Sequence, residues 1–147
     1  MKAFNSSDEI MDFAIDAEIE AVNFYRMLAD FVEKPEMAEM LSDLALQESD
    51  HKVKLEAIKA GRTAIDEDEV GDLGIVNNVE DVEPYAKMNY VDLLVVGMKK
   101  EEAARKLYAD LAAIAQTPEL RDTFLRLAQE EAEHKVRFEL EYDLMTF

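Results

Sequence analysis

Apolar residues recur at three- and four-residue steps along most of this chain, the period of one face of an α-helix. Four stretches carry the pattern. The first, α1, is predicted from near Ser6 to about Val32, with Ile10, Ala14, Ala21, Phe24, Leu28 and Phe31 along one side. Ser6-Ser7-Asp8-Glu9 reads as a capping box at its start, Ser at the cap and Glu three residues on. The second, α2, begins at Pro35, which suits a first turn because its missing N–H has no partner to lose there. It carries Met37, Leu41, Leu44, Leu55 and Ile58 and stops at Gly61. The third, α3, starts near Asn89 or Tyr90 and carries Leu94, Met98, Ala104, Tyr108, Leu111 and Ala115. Thr117-Pro118 is a cap-plus-proline start for α4, which runs almost to the C-terminus. Residues 62–89 have no sustained period, an acidic cluster, two glycines and Pro84, so they read as a long connection with room for one short helix. The expectation is an all-α chain forming one domain over 1–147. It comprises hairpins at about 7–60 and 90–146 and a crossover at about 61–89.

Polar residues break two of these apolar stripes in the same way. In Leu127–Phe138, LAQEEAEHKVRF, the core-facing positions are Leu127, Glu131, His134 and Phe138. In LALQESDHKVKL they are Leu44, Glu48, His51 and Leu55. His51 and His134 are the only histidines in the chain. Burying two carboxylates and two imidazoles without partners would cost several kcal/mol. Buried charges are paired or bind metal, so the stretches point to a metal site.

The likeness extends further. Subtracting 83 from positions in the second half carries Glu101 to Glu18, Tyr108 to Tyr25, Pro118 to Pro35, Glu131 to Glu48 and His134 to His51, with no gap. Shared leucines and alanines could follow from composition alone. Shared Glu, Tyr, Pro, Glu and His at one offset mark an internal repeat of a helical hairpin. Glu18 lies 17 residues before Pro35, while Glu48 and His51 lie 13 and 16 after it. With a constant rise per residue, these groups reach similar heights on antiparallel helices. Glu18 is in step with Ala14, Ala21 and Leu28, whereas Glu20 is about 200° around the helix and should face water. Glu130 and Glu133 fall on the surface by the same test.

One Glu from each of two helices and a Glu-x-x-His from each of the other two is the ligand pattern of carboxylate-bridged two-metal bundles. Two divalent ions would balance four carboxylates and leave both histidines neutral. Without metal, four carboxylates would crowd a low-dielectric interior and some would have to bind protons. Bridging glutamates with one imidazole per metal suit iron or manganese better than a structural zinc, though zinc remains possible.

Composition narrows the functions. A net charge of −18 argues against nucleic acid as partner, because phosphates would be repelled. No run reaches a membrane span, and the acidic N-terminus lacks a signal-peptide pattern, so a cytoplasmic location is expected. There are no cysteines, hence no disulfide frame and no thiolate iron site. The eight methionines read as core filler.

The run Glu-x-x-Ala-x-x-x-Tyr followed by Glu-x-x-His, present twice, resembles the rubrerythrin-type branch of the ferritin-like superfamily. The resemblance spans about residues 7–143. It implies a ferritin-like four-helix bundle with a long crossover between α2 and α3. It also implies a two-iron centre held by Glu18, Glu48, His51, Glu101, Glu131 and His134. Tyr25 would support Glu131, and Tyr108 would support Glu48. The implied activity is oxidoreductase chemistry on peroxide or O2, as a peroxide reductase or ferroxidase. An external electron donor such as a rubredoxin would serve it, and a homodimer would be the assembly. Iron binding or storage, or a metal-stabilised interaction module, are the alternatives. Two departures bear on activity. Better-known members carry a Cys-bound iron domain, absent from this sequence. They also carry a second α3 glutamate where this chain has Ala104, and Glu102 points about 100° away from that face.

Overall fold

The structure, a computed structural model, describes residues 6–61 and 88–147. Four helices occupy almost all of them: α1 Ser7–Phe31, α2 Pro35–Ala60, α3 Tyr90–Ile114 and α4 Pro118–Thr146. The body of the crossover, with its expected short helix, lies outside the described residues. Three residues join α1 to α2 and three join α3 to α4, lengths that make each pair antiparallel neighbours. Each hairpin packs its own two helices together.

The helix ends follow the cap chemistry. Ser6 is the N-cap of α1, its Oγ accepting the Glu9 N–H at 3.1 Å. Asn89, which stands at the equivalent place in the repeat, caps α3. Its side chain accepts the Asp92 N–H at 2.8 Å while Asp92 accepts the Asn89 N–H, a full capping box. Thr117 caps α4 by accepting the Leu120 N–H, and Pro118 and Pro35 both sit in first turns. Gly61 closes α2 with its N–H on the Ala57 carbonyl.

In the first hairpin the buried apolar set includes Ile10, Ala14, Phe24, Leu28, Leu41, Leu44 and Leu55. Phe31 departs from the expected stripe and is 52% exposed, because it is the last helical residue and lies past the packed length of α1. In the second hairpin Leu94, Leu111, Phe124, Leu127 and Phe138 are buried, and the rings of Tyr108 and Phe124 stack at 6.5 Å. Gly97 lets α3 come close to an aromatic ring. A Cβ there would sit 3.0 to 3.2 Å from three ring atoms of Phe138. Among the described residues no helix is long and apolar enough to cross a membrane.

Candidate metal centre

Each hairpin gathers one glutamate from its first helix with a glutamate and a histidine from its second. In the first hairpin His51 Nδ1 lies 3.7 Å from Glu18 Oε2 and 3.8 Å from Glu48 Oε2. In the second, His134 Nδ1 lies 3.6 Å from Glu101 Oε2 and 3.9 Å from Glu131 Oε2. The two triads thus have nearly the same dimensions, as the repeat requires. All six residues are at most 2% exposed. Local helix geometry accounts for the placement. Glu48 and His51, and likewise Glu131 and His134, are one turn apart on the buried stripe. Glu18 and Glu101 take core positions in step with Ala14 and Leu94, all of them buried.

These separations are too long for hydrogen bonds. Two ligand atoms at about 2.1 Å from one ion and at the tetrahedral angle are about 3.4 Å apart, so each triad is a few tenths of an ångström wider than a closed site. Within each triad, one ligand atom per residue lies within 4.8 Å of the others. Oxygen and imidazole donors with no sulfur suit iron, manganese or zinc. A carboxylate buried at this level needs a cation, a proton or hydrogen-bond donors.

Around the triads the sequence reading holds in most places. Glu20 and Glu133 are exposed. Glu130 is half-buried rather than on the surface, since it borders the stripe one residue before Glu131. Tyr25 and Tyr108 are fully buried, at 0% and 1% exposure. Ala104 is half-buried. Glu102, the acidic residue nearest the missing α3 carboxylate, is already engaged. Arg105 donates to it through Nε at 3.0 Å and through a second guanidinium nitrogen at 2.6 Å. Lys135 on α4 reaches it at 3.5 Å. Hydrogen bonds from Arg105 hold the Glu102 carboxyl down at about 2, with the charges of Arg105 and Lys135 adding to the effect.

The sequence reading missed Glu141, a buried carboxylate beyond the triad that accepts a hydrogen bond from the Tyr90 hydroxyl at 3.3 Å. Burial first, then the Glu141 charge, pushes the Tyr90 hydroxyl well above the usual tyrosine range. The signal was present, because Glu141 continues the spacing of His134 and Phe138 along α4.

Comparison with known proteins adds the family. The sequence profile of the Rubrerythrin family matches residues 9–86 and 92–145. The chain belongs to the rubrerythrin family. Among solved structures, this rubrerythrin-family chain is similar to a hypothetical protein from Pyrococcus furiosus. The two are 24% identical, the match covers 92% of this chain and 87% of that one, and the TM-score is 0.72. It is also similar to KatB, a manganese catalase from Anabaena PCC7120, at 16% identity, 98% and 75% coverage and a TM-score of 0.71. At these identities the likeness establishes the fold, which is the all-α, ferritin-like four-helix class. No curated protein matches the rubrerythrin-family sequence significantly.

Proposed function

We propose that the chain holds two transition-metal ions, iron or manganese, through Glu18, Glu48, His51, Glu101, Glu131 and His134. In this reading it is an oxidoreductase acting on peroxide or O2. The observation that carries it is the doubling: two buried triads of one composition and nearly equal dimensions, in a chain whose only histidines both belong to them. When bound, a pair of such ions supplies two-electron redox chemistry that no side chain here can perform.

The protein's own part is to place and insulate that chemistry. Four carboxylates neutralise two divalent ions, so loading leaves the interior near zero charge. His51 and His134 each give one neutral nitrogen donor. Tyr25 and Tyr108 act, in this reading, as hydrogen-bond donors that fix ligand carboxylates in place. Glu102 does not serve as a further ligand, because Arg105 and Lys135 already hold it as a surface ion pair. With Ala104 one turn from Glu101, α3 would offer no further carboxylate on that face, and the residues that would hold the ions are the same six throughout.

The test is an anaerobic Fe(II) titration followed by stopped-flow mixing with peroxide or with O2. Uptake of two ions per chain and fast oxidation are expected. Uptake of one ion, or none, would refute the dinuclear reading. A second reading, peroxide disproportionation at manganese, is favoured by the likeness to a manganese catalase. It needs no external electron donor. Sustained O2 release from peroxide by the manganese-loaded protein, without reductant, would select it over a reductase fed by a rubredoxin-like partner.

A further inference from the structure

Closing on an ion draws the ligand atoms of a triad together, and one contact beside the second triad limits how far they can come. We propose that the Phe138 ring, seated against Gly97, is a spacer that biases the centre toward larger divalent ions such as manganese(II) and iron(II) and against zinc. This rests on the metal-binding reading above.

His134 and Glu101 face each other across α4 and α3, with Nδ1 and Oε2 3.6 Å apart. Gly97 lies one turn before Glu101 and Phe138 one turn beyond His134, so in antiparallel helices this pair stands next to the ligand pair. Phe138 is fully buried, and a Cβ at position 97 would meet three of its ring atoms at 3.0 to 3.2 Å. The ring thus fills the space that a side chain on α3 would need and rests against the helix backbone. A close-packed ring between two helices yields little. Any approach of α3 to α4 that shortens the gap between Glu101 and His134 presses α3 onto it. Both ligand side chains are at most 2% exposed, so packed neighbours restrict the torsions that could otherwise take up the movement.

The repeat builds the same spacing from other side chains. In the first hairpin the equivalent places hold Ala14 and Leu55, both fully buried. The first helix gains a methyl group and the second exchanges a ring for a smaller branched chain, so bulk removed on one side is returned on the other. The cross-helix ligand distance stays almost the same, 3.7 Å from His51 Nδ1 to Glu18 Oε2 against 3.6 Å in the second hairpin. That is the pattern expected where the sum of the two side chains, and not either one, is held. Zinc bonds are short, about 2.0–2.1 Å to imidazole, and a closed tetrahedral site draws its ligand atoms inward. A larger ion needs less movement. Raw affinity along the first-row series is lowest at manganese and iron(II), so a preference for either has to come from geometry.

Chelator-buffered titration of the metal-free full chain, with zinc and separately with manganese, gives the ratio of the two dissociation constants. Phe138→Leu, which trims the ring, should shift that ratio toward zinc by about tenfold, the lower end of the effect that residues around a ligand shell have on metal affinity. Gly97→Ala, which props the helices apart, should shift it toward manganese. The double variant recreates the pairing of Ala14 with Leu55 and should return close to the parent ratio. It also decides the matter if Gly97→Ala alone does not fold, because the added methyl group should reverse the shift seen in Phe138→Leu. Leu111→Val, a change at a buried position ten residues beyond Glu101 on α3, should leave the ratio unaltered. A spacer gives shifts of opposite sign, whereas a merely structural contact weakens both ions together. Single variants that move the ratio in the same direction or not at all, a double variant that keeps the Phe138→Leu shift, or an equal shift in Leu111→Val would overturn the proposal. Absence of uptake of either ion by the unmodified chain would instead overturn the metal-binding reading itself.

Discussion

At Gly97 a methyl group would fit only if the Phe138 ring gave way by a few tenths of an ångström. A Cβ there would press on three Phe138 ring atoms at 3.0 to 3.2 Å. Gly97→Ala gains about 1 kcal/mol in helix propensity, but forcing a packed ring aside costs about 1–3 kcal/mol. A net loss of up to about 2 kcal/mol is expected, seen as a lower melting temperature of the metal-free protein. The same scale separates the acids. Glu18→Ala and Glu131→Ala should each abolish a full metal complement, while Glu20→Ala and Glu133→Ala, both at exposed positions, should leave stoichiometry at two. Elemental analysis after desalting checks this, and a reversed pattern would mean the ligand assignment is wrong by two residues. Tyr90 offers a titration. Its hydroxyl ionises well above the ordinary range, so the folded protein keeps that proton when the unfolded chain loses it near about pH 10. The stabilisation is complete below that pH and is lost as pH rises beyond it. An alkaline absorbance titration should show a late step that disappears in Tyr90→Phe.

Helices register mostly through their ends and their faces, and both were readable before any coordinates. Ser6, Pro35, Gly61, Asn89 and Thr117-Pro118 mark boundaries because caps and prolines act on the residues next to them. The six buried polar residues were visible for a similar reason, since each sits in an apolar stripe of fixed period. What escaped depends on two helices at once. Tyr90 and Glu141 are 51 residues apart, and Glu102 and Lys135 are 33 apart, so neither pair has a local spacing to betray it. The Glu102 tie has its own pH signature. Its carboxyl sits at about 2 in the folded protein and near about 4.3 when unfolded. Its contribution is therefore intact above about pH 4.3 and fades as pH falls toward 2. Because these side chains are part-exposed, the effect is at most about 1 kcal/mol and should shrink in salt. Melting curves of Glu102→Gln and the parent should converge at the acid end. A gap that persists at low pH would mean the residue acts through packing instead.

For the whole chain, charge is the dominant quantity. Of the net −18, four units belong to carboxylates buried in the triads when all are ionised. Anything that binds the folded form alone raises its stability, so divalent metal should raise the melting temperature and chelator should lower it. Calorimetric scans with and without chelator measure this. The repeat carries a further consequence. In the proposed reading each hairpin, with one glutamate and one Glu-x-x-His, supplies half of the six ligands. On that reading the two halves of the ligand set belong to one covalent chain. Taken alone, a peptide of residues 88–147 should therefore be a metal-triggered self-assembler. Its affinity for cobalt should rise with its own concentration, and sedimentation should show pairs only when metal is present. The intact chain, by contrast, should bind metal with an affinity independent of how dilute it is.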